Sequence, residues 1–514
     1  MGRLRVRRAL GGALIRSASD FPNGFTARTD VCVIGSGSGG GVATGLLAGA
    51  GRDVFLIEEG PHVPAAKMTQ REDEMFPLLF RDGGQQTTAD GTISVLQGRA
   101  LGGSTVINMA DVVPIPDGVW AHWETSFGLT RYSLDNLREA DAACGAAIGA
   151  NQMAVEALNR NNALLLAGGR KLGLTGGRFV HNRVGCVGSG YCLIGCAYDA
   201  KRSVAVTWIP RALETGHLTV QTEARATHFE TDGKRVVAVV GELINPRDNR
   251  SLATFRVEAD HFVLAAGAIH SPVLLQASGL GGPRVGRNLS LQPQAAVAAL
   301  FDEDVVMFRG IPQAAYIDST ETATEAGGLG GYRLEGVAAG PGQAAQSLAM
   351  SGADVHAFMT HYRQAASCLC LVPDRPVGTV TRDRVGRPKI AYAMTDGVRK
   401  TLKEAVHTAS RAYLAAGARS VVLPLVGATP VEKESDLDQL KSLDFRPVSM
   451  ISAHPQGTCR MGPDAETSVV DPSLRVHGVD NLHVVDASVF PTTSSSHTMM
   501  PVMAMSWLAM QEML

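Results

Sequence analysis

Hydrophobic and polar positions follow two regimes along this chain. The run VCVIG at 31–35 is apolar without alternation, as expected for a strand buried on both faces of a parallel sheet. VATGLLAGAG at 42–51 then reads as a helix, DVFLIE at 53–58 as a second buried strand, and HFVL at 261–264 as a third. LDNLREADAACGAAI at 134–148 and DGVRKTLKEAVHTASRAYLAAGA at 396–418 carry apolar residues at helical spacing, whereas QAAVAALF at 294–301 is strand-like. Ser271-Pro272 is expected to start a helix through LLQASG, and TMMP at 498–501 opens an apolar helix that closes the sequence. Strand, helix and strand in immediate succession give an α/β chain, α+β overall.

The turn after VCVIG is GSGSGG. Gly35 allows a tight turn, Gly37 lets backbone approach a pyrophosphate, and Gly40 permits close helix packing, with the helix N-terminus directed at the phosphates. The second strand ends at Glu58, where a carboxylate would bind ribose hydroxyls. An acidic residue there favours FAD or NAD over NADP, whose 2'-phosphate it would repel.

Five further segments carry chemistry. GRALGGSTVINM at 98–109 has a loop nearly free of side chains, Gly102, Gly103 and Ser104, followed by Asn108 as a hydrogen-bonding residue for a flat ring. AAGA at 265–268 gives another close backbone approach through Gly267 and Ala268. SAHPQGTCRMG at 452–462 sets His454 in a turn, and VVDASVFP at 484–491 is followed by SSSHTMM at 494–500. In this order, from about residue 30 to about 510, the segments resemble those of the glucose-methanol-choline (GMC) oxidoreductase family.

The resemblance implies a Rossmann-like FAD-binding domain interleaved with a substrate-binding domain built on an antiparallel sheet with helices. The FAD-binding parts would be 25–112, 186–292 and 447–514, the substrate-binding parts 113–185 and 293–446, and residues 1–24 an N-terminal arm. It adds Ala226, Asp486, Ala487, Thr498 and Met499 to the residues expected near the cofactor. Some family members attach FAD through a His beside the Asn of the first segment; here that neighbour is Ile107, so noncovalent FAD is expected. The implied reaction is oxidation of a CH–OH carbon by hydride transfer to flavin N5. His454 would be the general base and His497 its hydrogen-bonding partner, with the two roles exchangeable.

Charge narrows the partners. With 47 basic and 49 acidic residues nothing points to nucleic acid, and no run approaches the ~20 apolar residues of a membrane span, so the expected partners are a small-molecule alcohol and oxygen or another electron acceptor. The Arg-rich start, MGRLRVRRALGGALIRSASD, has an apolar stretch too short for an export signal and is expected to be an exposed basic arm. Eight cysteines without a disulfide framework fit a cytoplasmic location. Of these, Cys186, Cys192 and Cys196 stand in a Gly-rich loop. They could be iron–sulfur ligands, which would make the enzyme a dehydrogenase serving a quinone- or cytochrome-type acceptor, or plain buried thiols; a zinc site with His181 is a weaker option. An aromatic content of 5% and the Gly/Ala/Thr/Gln-rich stretch at 318–349, expected at the pocket mouth, favour a sugar-like or aminoglycoside alcohol, which the family resemblance narrows to a primary alcohol of such a molecule, as in antibiotic biosynthesis. A hydroxynitrile lyase and a non-catalytic flavin-binding protein are the alternatives from other classes.

Overall fold

The computed structural model describes residues 4–5, 15–319, 330–350, 352–444 and 450–514. Its first sheet is built from β1 (Phe25–Ile34), β2 (Val54–Ile57), β3 (Leu218–Gln221), β4 (Ala224–Asp232), β5 (Arg235–Ile244), β6 (Ser251–Leu264) and β7 (Leu482–Val484). The strand path is β4-β5-β6-β1-β2-β3, with β7 also on β6. Strand β6 does two jobs. Its first half pairs antiparallel with β5, and its end, Phe262–Leu264, lies parallel between β1 and β7. The parallel centre is where the sequence reads VCVIG, DVFLIE and HFVL, and Val31, Val33, Leu56, Phe262 and Val263 are wholly buried.

Helix α1 (Ser38–Gly49) follows β1, and helix α2 (Gly267–Ser278) follows β6. Helix α2 begins four residues before the expected Ser271-Pro272 start. Pro272 lies inside it and has no N–H for the Ala268 carbonyl; the Thr458 hydroxyl supplies that bond at 2.6 Å instead. Helix α3 (Met499–Gln511) is apolar on all sides and buried over most of its length, consistent with core packing by its methionines.

The second sheet has eight strands, in the order Ile93–Val95, Met450–Ser452, Gln294–Leu300, Ala365–Leu371, Arg333–Gly336, Ala315–Asp318 and Gly176–Arg178, with Ser420–Val422 also on Gln294–Leu300. Its pairings are antiparallel apart from the edge pair 93–95 with 450–452. Helix Asp396–Ala416 buries Val398, Leu402, Ala405, Ala409 and Ala412 against it, capped by the Thr395 hydroxyl at one end and stopped by Gly417 at φ 101° at the other.

Three expectations about layout change. Strands 93–95 and 450–452 join the second sheet although they fall in segments assigned to FAD binding. Helices Asp117–Phe127 and Leu134–Ala147, assigned to the substrate side, bury Trp120, Trp123 and Leu137 in the core of the first sheet, the latter helix packing on α3. The arm is not free: Leu4–Arg5 pairs with β1, Ile15–Arg16 extends the first sheet beside β3, and Ala18 is buried. Residues 1–3, 6–14 and 320–329, which carry half of the arm and the TETATEAGG part of the 318–349 stretch, lie outside the described residues, as do 351 and 445–449.

Candidate active site

At the nucleotide end the glycines have distinct surroundings. A Cβ on Gly35, whose φ is +96°, would stand 2.3 Å from the Ala265 carbonyl oxygen, and one on Gly40 would stand 1.9 Å from that of Gly35. A Cβ on Gly37 would meet nothing within 4 Å, so backbone at the start of α1 is open to a ligand. Glu58 closes the turn: its carboxylate accepts from the Ser36 amide at 3.1 Å, the Ser36 hydroxyl at 2.5 Å and the Gly60 amide at 2.7 Å, while burial raises its pKa against these bonds. The Ser36 hydroxyl also accepts from the Gly102 amide at 2.8 Å, and a Cβ on Gly103 would lie 2.8 Å from Gly37 Cα. The two glycine loops are therefore stacked, an open cradle suited to a pyrophosphate.

Asp486 ties the remaining motifs together. It accepts from the Ser271 hydroxyl at 2.5 Å, the Gly267 amide at 2.9 Å and the Ser488 amide at 2.8 Å, and Ala487 opens a short helical turn. Ala226 sits on β4 opposite Gly241, away from the cavity described next.

A cavity of about 1130 Å³ runs from Ser38 and Ser104 past Asn108, Thr498 and Met499 to His454 and His497. Asn108 donates to the Met499 sulfur at 3.0 Å and accepts from the Ala110 amide at 3.2 Å. His454 comes from the turn after Met450–Ser452, and His497 from the loop before α3. Wholly buried Gln456 joins these two loops, donating to the His454 carbonyl at 3.2 Å and accepting from the Ser494 amide at 2.9 Å. The imidazole centroids are 5.1 Å apart.

Side chains that sequence reasoning missed surround the pair. His497 Nε2 bonds Glu335 at 2.7 Å, and its Nδ1 is 3.4 Å from Asp111. Gln313 donates to the other Glu335 oxygen at 2.5 Å, His181 bonds Asp111 at 2.8 Å, and Gln294 lies 3.4 Å from His454 Nδ1. Burial works against a charged His497, but the Glu335 and Asp111 carboxylates prevail and hold its pKa at about 10. Burial and the neighbouring His497 push His454 the other way, well below the ordinary imidazole range. Burial would raise Asp111, yet the bonds from His181 and His497 bring it to about 2.

Comparison with known proteins gives the family. Sequence models of the GMC oxidoreductase family match residues 76–294 and 374–506. The chain is a GMC oxidoreductase. An uncharacterized GMC-type oxidoreductase of Mycobacterium tuberculosis is 32% identical over 496 residues, covering 95% of this chain and 76% of that one. A long-chain-alcohol oxidase of Arabidopsis thaliana is 28% identical over 93% of this chain and 67% of its own, and 6'''-hydroxyparomomycin C oxidase of Streptomyces lividus is 27% identical over 90% and 87%. In fold, pyridoxine 4-oxidase from Mesorbium loti superposes with a TM-score of 0.70 at 22% identity, covering 94% of this chain and 99% of that one. Formate oxidase superposes with a TM-score of 0.71 at 15% identity, covering 95% and 98%.

This GMC oxidoreductase is thus an FAD-binding alcohol oxidoreductase, and the open backbone at Gly37, stacked on the Gly102–Ser104 loop, fits the cofactor's phosphates. Ile107, the neighbour of Asn108, is buried in the cavity wall.

The cysteine loop of this oxidoreductase forms a wall of the cavity through Tyr191 and Leu193. Its thiols are not drawn together: Cys186 is exposed, Cys192 buried and Cys196 partly buried, and no group of three or more His, Cys, Asp or Glu among the described residues is placed to hold a metal ion. His181, weighed as a zinc ligand, is instead bonded to Asp111 and Arg183. Buried Lys201 donates to the carbonyls of Val106, Asn108 and Cys192 at 2.6, 2.8 and 2.5 Å, tying this loop to the Asn108 segment. Among the described residues no helix is long and apolar enough to cross a membrane.

Proposed function

We propose that this GMC oxidoreductase oxidises a primary alcohol to the carbonyl, with His454 as the base that takes the hydroxyl proton. The opposite protonation of the two imidazoles supports this reading most directly. A neutral His454 can accept a proton, and a cationic His497 can balance negative charge developing on the substrate oxygen. FAD, when bound, supplies the hydride acceptor. Held noncovalently, it would rest on the Gly35–Gly40 turn and the Gly102–Ser104 loop, with Glu58, Ala226, Gly267, Asp486, Ala487, Asn108, Thr498 and Met499 around it. Oxygen or another acceptor would then take the electrons.

His454 offers the lone pair of Nε2 only when its Nδ1 carries the proton. Gln294 sets its Nε2 3.4 Å from Nδ1, and a half-turn of the amide brings Oε1 there instead, the orientation that favours that form. Gln456 keeps the two imidazoles in register by joining their loops.

The wall of the cavity bears on the substrate. The chain has few aromatic residues, yet Phe76, Phe80, Tyr191 and Phe358 gather at this cavity, with Leu193 and Leu348 beside them. Carboxylates from Glu72, Asp73, Asp111 and Glu335 face it against the single guanidinium of Arg71 among the described residues. A neutral primary alcohol with an apolar body suits this lining better than an anionic one. The acidic rim at Glu72 and Asp73 favours a second reading, an aminoglycoside-type cation, which the Streptomyces lividus relative's substrate also suggests.

Anaerobic mixing with an aliphatic primary alcohol, an aminoglycoside and a hydroxy acid tests the assignment through bleaching of the flavin. Reduction by the first or second and not the third is expected. Preferential reduction by the hydroxy acid would overturn the substrate reading, and absence of bleaching by any alcohol would overturn the reaction.

A further inference from the structure

Both ring nitrogens of His497 face a carboxylate. Nε2 bonds Glu335, from strand Arg333–Gly336 of the second sheet, and Nδ1 faces Asp111, from the segment after Asn108. Each carboxylate is backed on its far oxygen, Glu335 by Gln313 and Asp111 by His181 Nε2. The chain continues one step further. Arg183 lies 2.5 Å from His181 Nδ1, and its other terminal nitrogen donates to the Met109 carbonyl.

The donors fix the protons. A guanidinium can only donate, so His181 Nδ1 is an acceptor, and its neutral ring carries hydrogen on Nε2 and donates to Asp111. Asp111 is thereby held as an acceptor toward His497. Asp111, His181 and Arg183 are buried, a setting in which unbonded polar groups are costly, and each of the three takes part in the line of donors and acceptors.

We propose that Asp111 and Glu335 form a two-sided carboxylate clamp that keeps His497 doubly protonated throughout turnover, with His181 and Arg183 as positioning residues that aim Asp111. His497 is then a fixed cation, and its role does not exchange with that of His454. Both of its N–H groups are directed to carboxylates, so it acts on the reacting oxygen through charge and not by giving up a proton. The titratable and charged groups around it are Glu335, Asp111 and His454, with His181 and Arg183 behind Asp111; the Phe179 ring, 5.5 Å away, adds no charge.

The clamp's part in turnover rests on the function proposed above, but its charge state can be read without turnover. In holoenzyme labelled with 15N-histidine, the His497 signals are those lost in His497→Asn. At pH 8 both nitrogens should carry protons; a neutral ring there would overturn the proposal and needs no further variant. In Asp111→Asn the His497 midpoint should fall by about 1–3 pH units, the usual effect of losing an adjacent opposite charge. The high-pH decline of alcohol-driven flavin reduction should move with it, and Asp111→Glu should restore part of the shift. A folded, FAD-loaded Asp111→Asn protein with an unmoved midpoint would also overturn it. Unchanged flavin reduction in His454→Ala would instead sink the base assignment and leave the clamp intact, so the two failures are distinguishable.

Discussion

His454 and His497 face each other with ring centroids 5.1 Å apart, yet their surroundings drive them to opposite protonation states. His497 lies between two carboxylates, while His454 has an amide beside Nδ1 and a cation as neighbour. One imidazole is thereby prepared to accept a proton and the other to remain charged.

Stability should record this asymmetry. The folded pKa of His497, about 10, is raised above the ordinary 6.5, so its contribution is complete below about pH 6.5 and is lost as pH rises through about 10. The urea midpoint of the holoenzyme should therefore fall between pH 7 and 10 more steeply in the wild type than in His497→Asn. Parallel curves would show that His497 is not charged in the folded state.

Two glycine substitutions should separate cofactor binding from folding. Gly37→Ala places its methyl in open space, so the protein should fold and lose FAD affinity, roughly tenfold or more for a crowded phosphate contact. Gly40→Ala drives a methyl into the Gly35 carbonyl and should cost about 1–3 kcal/mol of stability, the range for overpacking a filled site. FAD titration by fluorescence and thermal melts read the two effects; equal FAD affinity in Gly37→Ala and the wild type would place the phosphates elsewhere.

Gln294→Leu removes the amide beside His454 Nδ1 and leaves the tautomer unfixed. The rate of flavin reduction should drop about tenfold with little change in substrate affinity, a modest share of the 10²–10⁴-fold usual for general base catalysis. Stopped-flow traces across substrate concentration separate the two, and a change confined to affinity would make Gln294 a substrate contact instead.

Much of the nucleotide half was legible in the sequence because its signals are local. VCVIG, the glycine turn and DVFLIE lie within thirty residues, and each is a strand, turn or helix dictated by neighbours in the chain. His454 and His497 were found because each belongs to a contiguous motif. Asp111, Gln313 and Glu335 were not, and His181 was weighed only as a zinc ligand beside the cysteine loop, because their partners lie far away in the chain. RLEG reads like any short strand until the sheet buries all four residues and turns Glu335 toward a residue 162 positions away. Asp111, three residues after Asn108, had the only local hint, its place at the end of a cofactor motif. The cavity lining was not legible for the same reason: an aromatic content averaged over the chain cannot show that four rings gather at one cavity. Sheet membership was not legible where pairing is long-range, as at 93–95 with 450–452.

The central claim is that His454 accepts the alcohol's proton. Anaerobic single-turnover reduction of the bound flavin in His454→Ala, measured with a substrate that bleaches the wild type, tests it most directly. A rate lower by about 10²–10⁴-fold, with FAD content and flavin absorbance unchanged, is the predicted result. A rate within a few-fold of the wild type in FAD-replete protein would contradict it.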